Sequence, residues 1–438
     1  MSAPSYSPAS PPWPAPAAGR PVTATVSVPG SKSLTNRELV LAALADGPAL
    51  VTAPLPSDDS ARMIDAIAAL GVGVASVPGS GRFGDDLRIT PARLHGGSID
   101  CGQAGTVMRF IAPVAGLAEG AVHLTAHHSA LHRPMGPLIE ALRSLGLTVD
   151  DGGTGALPFT VHGTGSVRGG RLEIDASASS QFVSGLLLSA ARFDEGLHLV
   201  HRGERVPSLP HIEMTLASLR HRGVETSSPR EGEWVVAPGP IRAMDVAIEP
   251  DLSNAAPFLA TAVVTGGEVT VTGWPEASTQ PGHLLPELLA AFGATATIAG
   301  DALTVTGTGT IDGADLDLSA VGELAPTLVG IAALASSPSR FRGIGHLRGH
   351  ETDRLAALVA NLAAIGVTAY ERPDGIEVHP GAAHGGLWRA FHDHRLATTG
   401  ALLGLVVDGV EVDDIGATAK TLPQFVDLWA DMLTTERP

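Results

Sequence analysis

Leu145-Gly146-Leu147 is a stretch in which a predicted helix ends at a glycine and a short strand begins. Four further stretches repeat this junction: Leu70-Gly71-Val72, Arg222-Gly223-Val224, Phe292-Gly293-Ala294 and Ile365-Gly366-Val367. Successive glycines are 75, 77, 70 and 73 residues apart, which exceeds the period of solenoid proteins and indicates a larger repeated supersecondary structure. A sixth predicted helix, residues 424–433, ends where the next glycine would fall. The sequence therefore predicts six repeats.

Each repeat carries an earlier helix and several strands around the junction. The earlier helices are predicted to begin near Ser33, Ala104, Ser180, Ser253, Leu324 and Arg395. Short apolar strands follow four of them, at residues 122–124, 197–200, 269–271 and 410–412. Two helices and several strands per repeat predict an α/β fold, with three repeats in each of two domains.

The predicted domain boundaries depend on how the repeats close. The alternating stretch Val22–Val28 predicts a half-buried strand, which we expect to complete the sixth repeat. The chain then crosses between domains near Gly30 and near Pro250. This predicts one domain of residues 31–249 and a discontinuous domain of residues 19–30 with 250–438. Residues 1–18, rich in Pro, Ser and Ala, are expected to form a disordered tail.

The composition limits which functions are possible. Of the 438 residues, 44% are hydrophobic and only 4% aromatic, which indicates an aliphatic core. The formal net charge of −17 argues against a broad nucleic-acid surface, so an anion site must be a local basic cluster. A single cysteine, Cys101, excludes an internal disulfide and a cysteine-based zinc site, which fits the cytoplasm. No apolar run is long enough to cross a membrane.

Two helix starts that contain glycine predict an anion site. In Cys101-Gly102-Gln103-Ala104-Gly105-Thr106 the glycines leave backbone N–H groups open at the positive end of a helix, although glycines there also serve tight turns. Pro29-Gly30-Ser31-Lys32-Ser33 leads into another helix, which carries Arg37 one turn later; taken alone, these residues are more typical of a solvated helix cap than of a phosphate clamp. This second stretch is not a Walker motif, because Ser31 rather than glycine precedes Lys32.

Further polar residues fall at the starts of predicted helices: Arg133, Ser179, Ser180, Gln181, Ser208, His211, Glu323, Arg354, Arg395 and Lys420. If the helices of a domain point the same way, their dipoles and these cations converge on one anionic ligand. Glu323 and Glu351 could accept a proton from a substrate hydroxyl; equally, Glu323 could cap its helix and Glu351 could pair with Arg354. The histidines at 127–132 and 392–394 lack a zinc-binding pattern, and we expect no metal site.

Seven stretches, in chain order, carry a more specific pattern. They are Pro29-Gly30-Ser31-Lys32-Ser33 with Arg37, Gly102-Gln103-Ala104-Gly105-Thr106 with Arg109, Arg133-Pro134-Met135, Ser179-Ser180-Gln181-Phe182, Glu351-Thr352-Asp353-Arg354, Asp393-His394-Arg395 and Ala419-Lys420-Thr421. This pattern resembles the 5-enolpyruvylshikimate-3-phosphate (EPSP) synthase family over residues 21–433. The resemblance implies the two-domain enolpyruvyl-transferase fold, in which each domain has three βαβαββ-type repeats with helices inside and sheets outside, an inside-out α/β barrel with the active site in the interdomain cleft.

The resemblance also implies a reaction. The enolpyruvyl group of phosphoenolpyruvate is transferred to the 5-hydroxyl of shikimate 3-phosphate through a tetrahedral intermediate, phosphate is released, and no metal or organic cofactor takes part. Glu323 would take the hydroxyl proton, and Lys32 and Glu351 would move the proton onto and off the methylene carbon. Phosphoenolpyruvate would be bound by Lys32, Gly105, Arg133, Gln181, Arg354, Arg395 and Lys420. Shikimate 3-phosphate would be bound by Lys32, Ser33, Arg37, Ser179, Ser180, Gln181, Ser208, Glu323 and His350. In this family glyphosate competes with phosphoenolpyruvate, so Gly105→Ala is expected to weaken that inhibitor.

Five positions depart from the commoner bacterial pattern of the family. Glu323 stands where Asp is common, and His350 replaces a Lys. His346 replaces an Asn, His211 a Tyr and Gln103 an Asn. These changes leave the phosphoenolpyruvate cluster whole but alter the predicted contacts to shikimate 3-phosphate. If His350 must be charged, activity should fall as the pH rises past its titration.

Three other functions fit parts of the pattern. The related UDP-N-acetylglucosamine enolpyruvyl transferase typically has Asn after the first Lys and a reactive Cys or Asp in a mobile loop, whereas here Ser33 follows Lys32 and Cys101 precedes a helix. An RNA-end-processing protein conflicts with the net charge of −17. A non-catalytic anion-binding protein leaves Glu323 and Glu351 unexplained. We therefore expect a monomeric cytoplasmic transferase whose partners are the two small substrates, with no nucleic acid and no membrane.

Overall fold

The structure is a computed structural model that describes residues 11–79 and 82–434. Its α-helices are α1 (Lys32–Ala43), α2 (Asp58–Ala69), α3 (Gly105–Gly116), α4 (Gly136–Ser144), α5 (Ser180–Ala190), α6 (Pro210–His221), α7 (Leu252–Thr265), α8 (Leu285–Ala290), α9 (Ala325–Ala332), α10 (Arg354–Ala364), α11 (His394–Gly404) and α12 (Phe425–Thr434). Short 3-10 helices span His128–Ala130, Pro281–Leu284, Gly322–Leu324, Gly345–Gly349 and Ile415–Lys420.

Its strands are β1 (Trp13–Pro14), β2 (Thr23–Val26), β3 (Ala49–Thr52), β4 (Gly73–Val77), β5 (Asp86–Thr90), β6 (His95–Asp100), β7 (Glu119–Thr125), β8 (Thr148–Asp150), β9 (Phe159–Thr164), β10 (Gly170–Ile174), β11 (Leu197–His201), β12 (Thr226–Ser227), β13 (Glu233–Val236), β14 (Val246–Ala247), β15 (Glu268–Thr272), β16 (Thr295–Ala299), β17 (Ala302–Thr306), β18 (Asp315–Asp317), β19 (Ser339–Arg342), β20 (Thr368–Arg372), β21 (Gly375–His379), β22 (Gly386–Trp388) and β23 (Val410–Val412).

These strands form six sheets in the described residues, one for each predicted repeat. The strand orders are β14-β3-β5-β4, β6-β7-β9-β8, β10-β11-β13-β12, β2-β15-β17-β16, β18-β19-β21-β20 and β22-β23-β1. In every sheet the first two strands are parallel and the third is antiparallel to the second. The α/β fold of repeated βαβαββ-type structures predicted from the sequence is confirmed.

The third strand of the sixth sheet comes from the predicted tail. Trp13 of β1 lies opposite Val412 of β23, and the Ala15 N–H donates a hydrogen bond of 3.0 Å to a carbonyl of β23. The prediction of a disordered tail is therefore wrong for residues 11–18, because a composition rich in Pro and Ala does not exclude main-chain pairing with an open sheet edge. Residues 1–10 lie outside the described residues.

The strand predicted at Val22–Val28 belongs to a different repeat from the one expected. β2 runs parallel to β15, with Ala24 opposite Val269, and closes the fourth sheet. The expectation that it completes the sixth repeat is wrong. An alternating pattern identifies a half-buried strand, but it contains no information about which sheet edge the strand joins.

The first helix of each repeat is buried on all sides. α1, α3 and α5 contact one another, and so do α7, α9 and α11, which agrees with their small and aliphatic side chains. The N-termini of these interior helices need polar partners, and Ser31, Ser179, Asp251 and Asp393 supply them as N-caps. Polar residues are thereby placed at the ends of buried helices. No helix of the described residues is long and apolar enough to cross a membrane.

The junction glycines adopt a backbone conformation that favours glycine. All five predicted junctions have positive φ, from 79° to 100°. In this left-handed region a side chain is strained, whereas glycine ends a helix without penalty. The predicted helix ends are confirmed at these positions.

The chain divides into two compact lobes. Pro29–Pro250 forms one, here called the N lobe; the chain up to Val28 together with the chain from Asp251 forms the other, the C lobe. Gly30 and Pro250 pair as an isolated antiparallel bridge. A Cβ at Gly30 would lie 2.2 Å from the carbonyl oxygen of Ala53, so the close approach of the backbone there requires glycine.

Candidate active site

In the N lobe, the start of α1 places Lys32 and Ser33 at the end of an interior helix. The hydroxyl of Ser31 caps this helix by accepting a hydrogen bond from the Leu34 N–H. The Lys32 ammonium lies 3.5 Å from the carboxylate of Asp59, and their side chains are 20% and 5% exposed. The buried carboxylate orients Lys32 while the lysine stays partly accessible.

Arg37, one turn further along α1, points into the N lobe. Its Nε donates to the hydroxyl of Thr215 at 2.8 Å. Its Nη1 donates to the Ser33 carbonyl and its Nη2 to the His211 carbonyl, each at 2.8 Å. Burial lowers the pKa of Arg37 to about 9, although the neighbouring Glu38 opposes the shift. Arg37 therefore ties α1 to α6 and contacts the main chain of Ser33.

The start of α3 brings several predicted residues to one point. A Cβ built on Gly105 would lie 2.9 Å from Nη1 of Arg109, 3.2 Å from Oε1 of Gln181 and 3.6 Å from Nη1 of Arg133. The N-cap of α3 offers no side-chain hydrogen bond. Nη1 of Arg133 also donates to the Gln103 carbonyl at 2.8 Å, which fixes its guanidinium. Two guanidinium groups beside an open helix N-terminus are suited to binding an anion.

The serines predicted to bind a substrate lie at the starts of α5 and α6. The Ser179 hydroxyl accepts a hydrogen bond of 3.2 Å from the Gln181 N–H, and Ser180 is 4% exposed. Ser208 has a φ of 53°, an uncommon conformation for a residue with a side chain. Its carbonyl accepts a hydrogen bond of 3.0 Å from the His211 N–H. The strained turn at Ser208 fixes the entry into α6.

In the C lobe, Arg354 is the centre of a network of ion pairs. Its Nε donates to Oδ2 of Asp393 at 2.7 Å, and its Nη2 donates to Oε2 of Glu351 at 2.9 Å. The other oxygen of Glu351 accepts a hydrogen bond of 2.6 Å from the Lys420 ammonium. Burial opposes the charge on Arg354, but the charges of Asp393 and Glu351 outweigh it and raise the pKa of the guanidinium. The i, i+3 pairing of Glu351 with Arg354 is therefore present, with Lys420 as a second cation.

Arg395 lies at the start of α11, which the same buried carboxylate caps. Asp393 caps α11 and accepts a hydrogen bond of 2.8 Å from the Arg395 N–H. Nη1 of Arg395 donates to the Ser253 carbonyl at 2.6 Å. Burial lowers the pKa of Arg395, and the nearby Asp251 opposes this shift. Asp393 thus pairs with the Arg354 guanidinium and caps the helix that begins beside Arg395.

Glu323 lies on a short 3-10 helix close to two histidines. A Cβ on Gly322 would lie 2.8 Å from Nε2 of His346, and the ring centroids of His346 and His350 are 5.5 Å apart. Burial and then the charge of Arg354 lower the pKa of His350 to about 3, with carboxylates such as Glu323 opposing, so this imidazole is neutral at neutral pH. Its Nδ1 lies 3.3 Å from Nη1 of Arg354. Because arginine can only donate, we assign the His350 proton to Nε2.

The structure groups the predicted residues within each lobe, with one difference in placement. Lys32, Ser33, Arg37, Gly105, Arg133, Ser179, Ser180, Gln181 and Ser208 are in the N lobe, and Glu323, His350, Glu351, Arg354, Arg395 and Lys420 are in the C lobe. Lys420 was expected at a helix start, but it ends the 3-10 helix Ile415–Lys420. Lys32 and Lys420 are also the only two lysines of the chain.

Sequence reasoning gave no role to two buried carboxylates, Asp59 and Asp393. Asp59 pairs with Lys32, and Asp393 pairs with Arg354 and caps the helix that carries Arg395. A signal for Asp393 was present, since an Asp directly before a predicted helix is a common N-cap. Nothing local to Asp59 distinguishes it from an ordinary first-turn acidic residue.

The cysteine and the histidine clusters do not form a second reactive centre in the described part of the chain. Burial, and then the charge of Asp100, raises the pKa of the Cys101 thiol to about 12, so the thiol stays protonated and unreactive. Among residues 11–79 and 82–434, no group of three or more His, Cys, Asp or Glu side chains is arranged to hold a metal ion.

Comparisons with known proteins all match this chain to EPSP synthases or to a related enolpyruvyl transferase. The family model described as EPSP synthase (3-phosphoshikimate 1-carboxyvinyltransferase) matches residues 16–429. A protein of Kocuria rhizophila called 3-phosphoshikimate 1-carboxyvinyltransferase is 54% identical over 431 residues, which are 97% of each chain. The solved structure of EPSP synthase from Acinetobacter baumannii matches with a TM-score of 0.76 at 23% identity, over 96% of this chain and 97% of that one. The enolpyruvyl transferase NikO from Streptomyces tendae matches with a TM-score of 0.73 at 17% identity, over 94% and 95%. The two solved structures bear on the fold alone.

Proposed function

The chain belongs to the EPSP synthase family, and on that premise we infer that it transfers the enolpyruvyl group of phosphoenolpyruvate to the 5-hydroxyl of shikimate 3-phosphate. The products are 5-enolpyruvylshikimate 3-phosphate and phosphate, and the reaction belongs to the shikimate pathway. The UDP-N-acetylglucosamine reaction is the alternative that the family membership disfavours.

We propose that phosphoenolpyruvate binds at the start of α3, and one observation carries this assignment. The Cβ position of Gly105 lies within 3.6 Å of Arg109, Gln181 and Arg133. A substrate with a carboxylate and a phosphate needs such donors, and a side chain at residue 105 would occupy the space between them. The further cations assigned to phosphoenolpyruvate are Lys32, Arg354, Arg395 and Lys420.

We assign shikimate 3-phosphate to the serines at the helix starts and to the residues around Glu323. The assigned residues are Lys32, Ser33, Arg37, Ser179, Ser180, Gln181, Ser208, Glu323 and His350. A neutral His350 with its proton on Nε2 can donate one hydrogen bond to a substrate hydroxyl. The lysine that is common at this position in the family could also donate, but it would add a positive charge. Arg37 is 1% exposed and bonds the Ser33 carbonyl, so its contribution includes holding the Ser33 backbone in place.

The proposed chemistry divides the proton transfers among three residues. Glu323 takes the proton of the 5-hydroxyl as that oxygen attacks C2 of phosphoenolpyruvate, while C3 gains a proton and the tetrahedral intermediate forms. Loss of a C3 proton and departure of phosphate then give the product. Lys32 and Glu351 are assigned to the two C3 steps, and the bonds from Arg354 and Lys420 hold Glu351 in one orientation. The fixed guanidinium groups stabilise the carboxylate and the departing phosphate.

We also propose the remaining properties that the family suggests. The two substrate domains are the N lobe, Pro29–Pro250, which binds shikimate 3-phosphate, and the C lobe. The protein works as a cytoplasmic monomer on small molecules, without a metal, an organic cofactor, nucleic acid or a membrane. The single buried cysteine is compatible with a reducing compartment.

Two variants test the division of the substrates. Arg133→Ala should raise the KM for phosphoenolpyruvate and leave the KM for shikimate 3-phosphate nearly unchanged, and Ser180→Ala should do the reverse. Arg171→Ala is the control, because Arg171 is half-exposed on β10 and pairs with Glu173 outside the proposed site. The assignment would be refuted if Arg133→Ala raised only the KM for shikimate 3-phosphate in a steady-state assay of phosphate release.

A further inference from the structure

The sixth sheet is completed by a strand from the opposite end of the chain. In the described residues it has three strands, β22-β23-β1, whereas each of the other five sheets has four. β1 occupies the position that the third, antiparallel strand holds in the other repeats. The Ala18 N–H extends the pairing with a hydrogen bond of 2.9 Å to the Leu405 carbonyl at the end of α11.

Trp13 of β1 packs on a small apolar cluster that also contacts the 3-10 helix ending at Lys420. A buried cluster is formed by Ala390, Ala397 and Val412, and Trp13, Ile415 and Ala417 all pack against it. Ile415 and Ala417 belong to the 3-10 helix that ends at Lys420. One apolar cluster therefore links β1 to the segment that presents the Lys420 ammonium.

The 3-10 helix Ile415–Lys420 depends on its surroundings for its position. Such helices have poorer hydrogen-bond geometry than α-helices and are rarely stable alone. Just beyond its end, the Thr421 carbonyl accepts a hydrogen bond of 2.9 Å from the Asn254 side chain. Near its start, Ile415 and Ala417 pack on the same cluster as Trp13. Lys420, 8% exposed and 2.6 Å from Glu351, lies between these two attachments.

We propose that β1 is a positioning element for the reaction, and that Trp13 holds the 3-10 helix so that the Lys420 ammonium reaches Glu351. The effect on phosphoenolpyruvate rests on the function proposed above, whereas the effect on the position of Lys420 does not. Trp13 itself is assigned no contact with either substrate. Its role is to keep the segment from residue 415 to residue 420 in one conformation.

The accessibility of the Lys420 ammonium can be measured directly by chemical labelling. Lys32 and Lys420 are its only lysines, and each lies in a different lobe. An amine-reactive reagent followed by peptide mass spectrometry therefore reports Lys420 with Lys32 as an internal standard. In the wild type, an ammonium that is 8% exposed and bonded to a carboxylate should react slowly.

Trp13→Ala should raise the labelling rate of Lys420 relative to Lys32 by roughly three- to tenfold, because the loosened helix opens more often. The KM for phosphoenolpyruvate should rise several-fold, and the KM for shikimate 3-phosphate should stay within about twofold. Trp13→Phe, which keeps an aromatic ring at this position, should restore most of both properties. Trp13→Leu replaces Trp13→Ala if the latter does not fold.

Val305→Ala is the control for general loss of stability. Val305 is fully buried in β17, in the fourth sheet of the C lobe, so its truncation destabilises the lobe without touching the cluster under Trp13. An unchanged labelling ratio in folded Trp13→Ala, or an equal rise in Val305→Ala, would overturn the inference. Faster labelling of Lys420 with an unchanged KM for phosphoenolpyruvate would support the positioning role and contradict the assignment of Lys420 to that substrate.

Discussion

Replacing Gly105 by alanine tests the proposed binding site for phosphoenolpyruvate with one added methyl group. Gly105 begins α3 and does not have a positive φ, so alanine is compatible with its backbone. The methyl group would lie 2.9 Å from Nη1 of Arg109 and 3.2 Å from Oε1 of Gln181. The variant should fold, and its effect should be confined to the site.

The size of the effect follows from those distances. An ordinary contact between a carbon and such an atom is 3.4 Å or longer, so the Arg109 guanidinium must retreat by about half an ångström. Arg109 is held by the carbonyls of Gly105 and Pro134, at 3.2 and 3.3 Å. Overpacking costs about 1–3 kcal/mol. Because side-chain ends can move, we expect about 1–2 kcal/mol, or roughly a 5- to 30-fold loss of affinity for phosphoenolpyruvate.

The assay is steady-state phosphate release with each substrate varied in turn. Gly105→Ala should raise the KM for phosphoenolpyruvate by that factor and the inhibition constant of glyphosate by at least as much, with little change for shikimate 3-phosphate. Gly239→Ala is the matched control, since a Cβ there would meet nothing within 4 Å and φ is not positive. Unchanged inhibition and an unchanged KM in Gly105→Ala would show that Gly105 does not line the pocket.

Three further predictions concern Glu323, His350 and Glu38. Glu323→Gln should lower kcat by about 10²- to 10⁴-fold while Glu323→Asp keeps much of the activity; undiminished single-turnover rates in Glu323→Gln would remove this residue as the base. The pKa of His350 in the folded protein, about 3, lies below its ordinary value of 6.5. Its contribution to the free energy of unfolding is therefore complete above pH 6.5 and is lost as the pH falls towards 3. His350→Gln should remove this pH dependence of the free energy of unfolding, measured by urea titration at several pH values. For the same reason, activity plotted against pH should run parallel for wild type and His350→Gln above pH 6. If the activity of the wild type fell with rising pH and that of the variant did not, a charged His350 would be required. Glu38→Gln should cost about 3–5 kcal/mol in urea unfolding, because it leaves Arg222, which is 0% exposed and 2.8 Å from Glu38, without its counterion. Glu371→Gln, which breaks a partly exposed pair with Arg348, should cost under about 1 kcal/mol, and equal losses in the two variants would contradict the argument.

The repeat architecture could be predicted because the signals for it are local. A helix that ends in the left-handed region needs glycine at one position, and the five junction glycines all have positive φ. The starts of the interior helices could be located for a similar reason, because their capping residues lie next to them in the sequence. The positions of β1 and β2 could not, because their partners, β23 and β15, lie hundreds of residues away.

The identities of the candidate site residues could be predicted from the motifs, but their states could not. Whether Arg37 points inward, and whether His350 is charged, depends on burial and on charges brought close by the fold. Asp393 illustrates the same limit. Its motif predicts an N-cap, and only the fold shows that it also pairs with Arg354, 39 residues earlier.

The most direct test of the assigned reaction is product formation by the purified protein. Phosphoenolpyruvate is supplied with shikimate 3-phosphate in one reaction and with UDP-N-acetylglucosamine in another, and phosphate and the enolpyruvyl product are measured together. We predict equal amounts of phosphate and 5-enolpyruvylshikimate 3-phosphate in the first reaction and no product in the second. Product only from the nucleotide sugar, or from neither acceptor, would contradict the assignment.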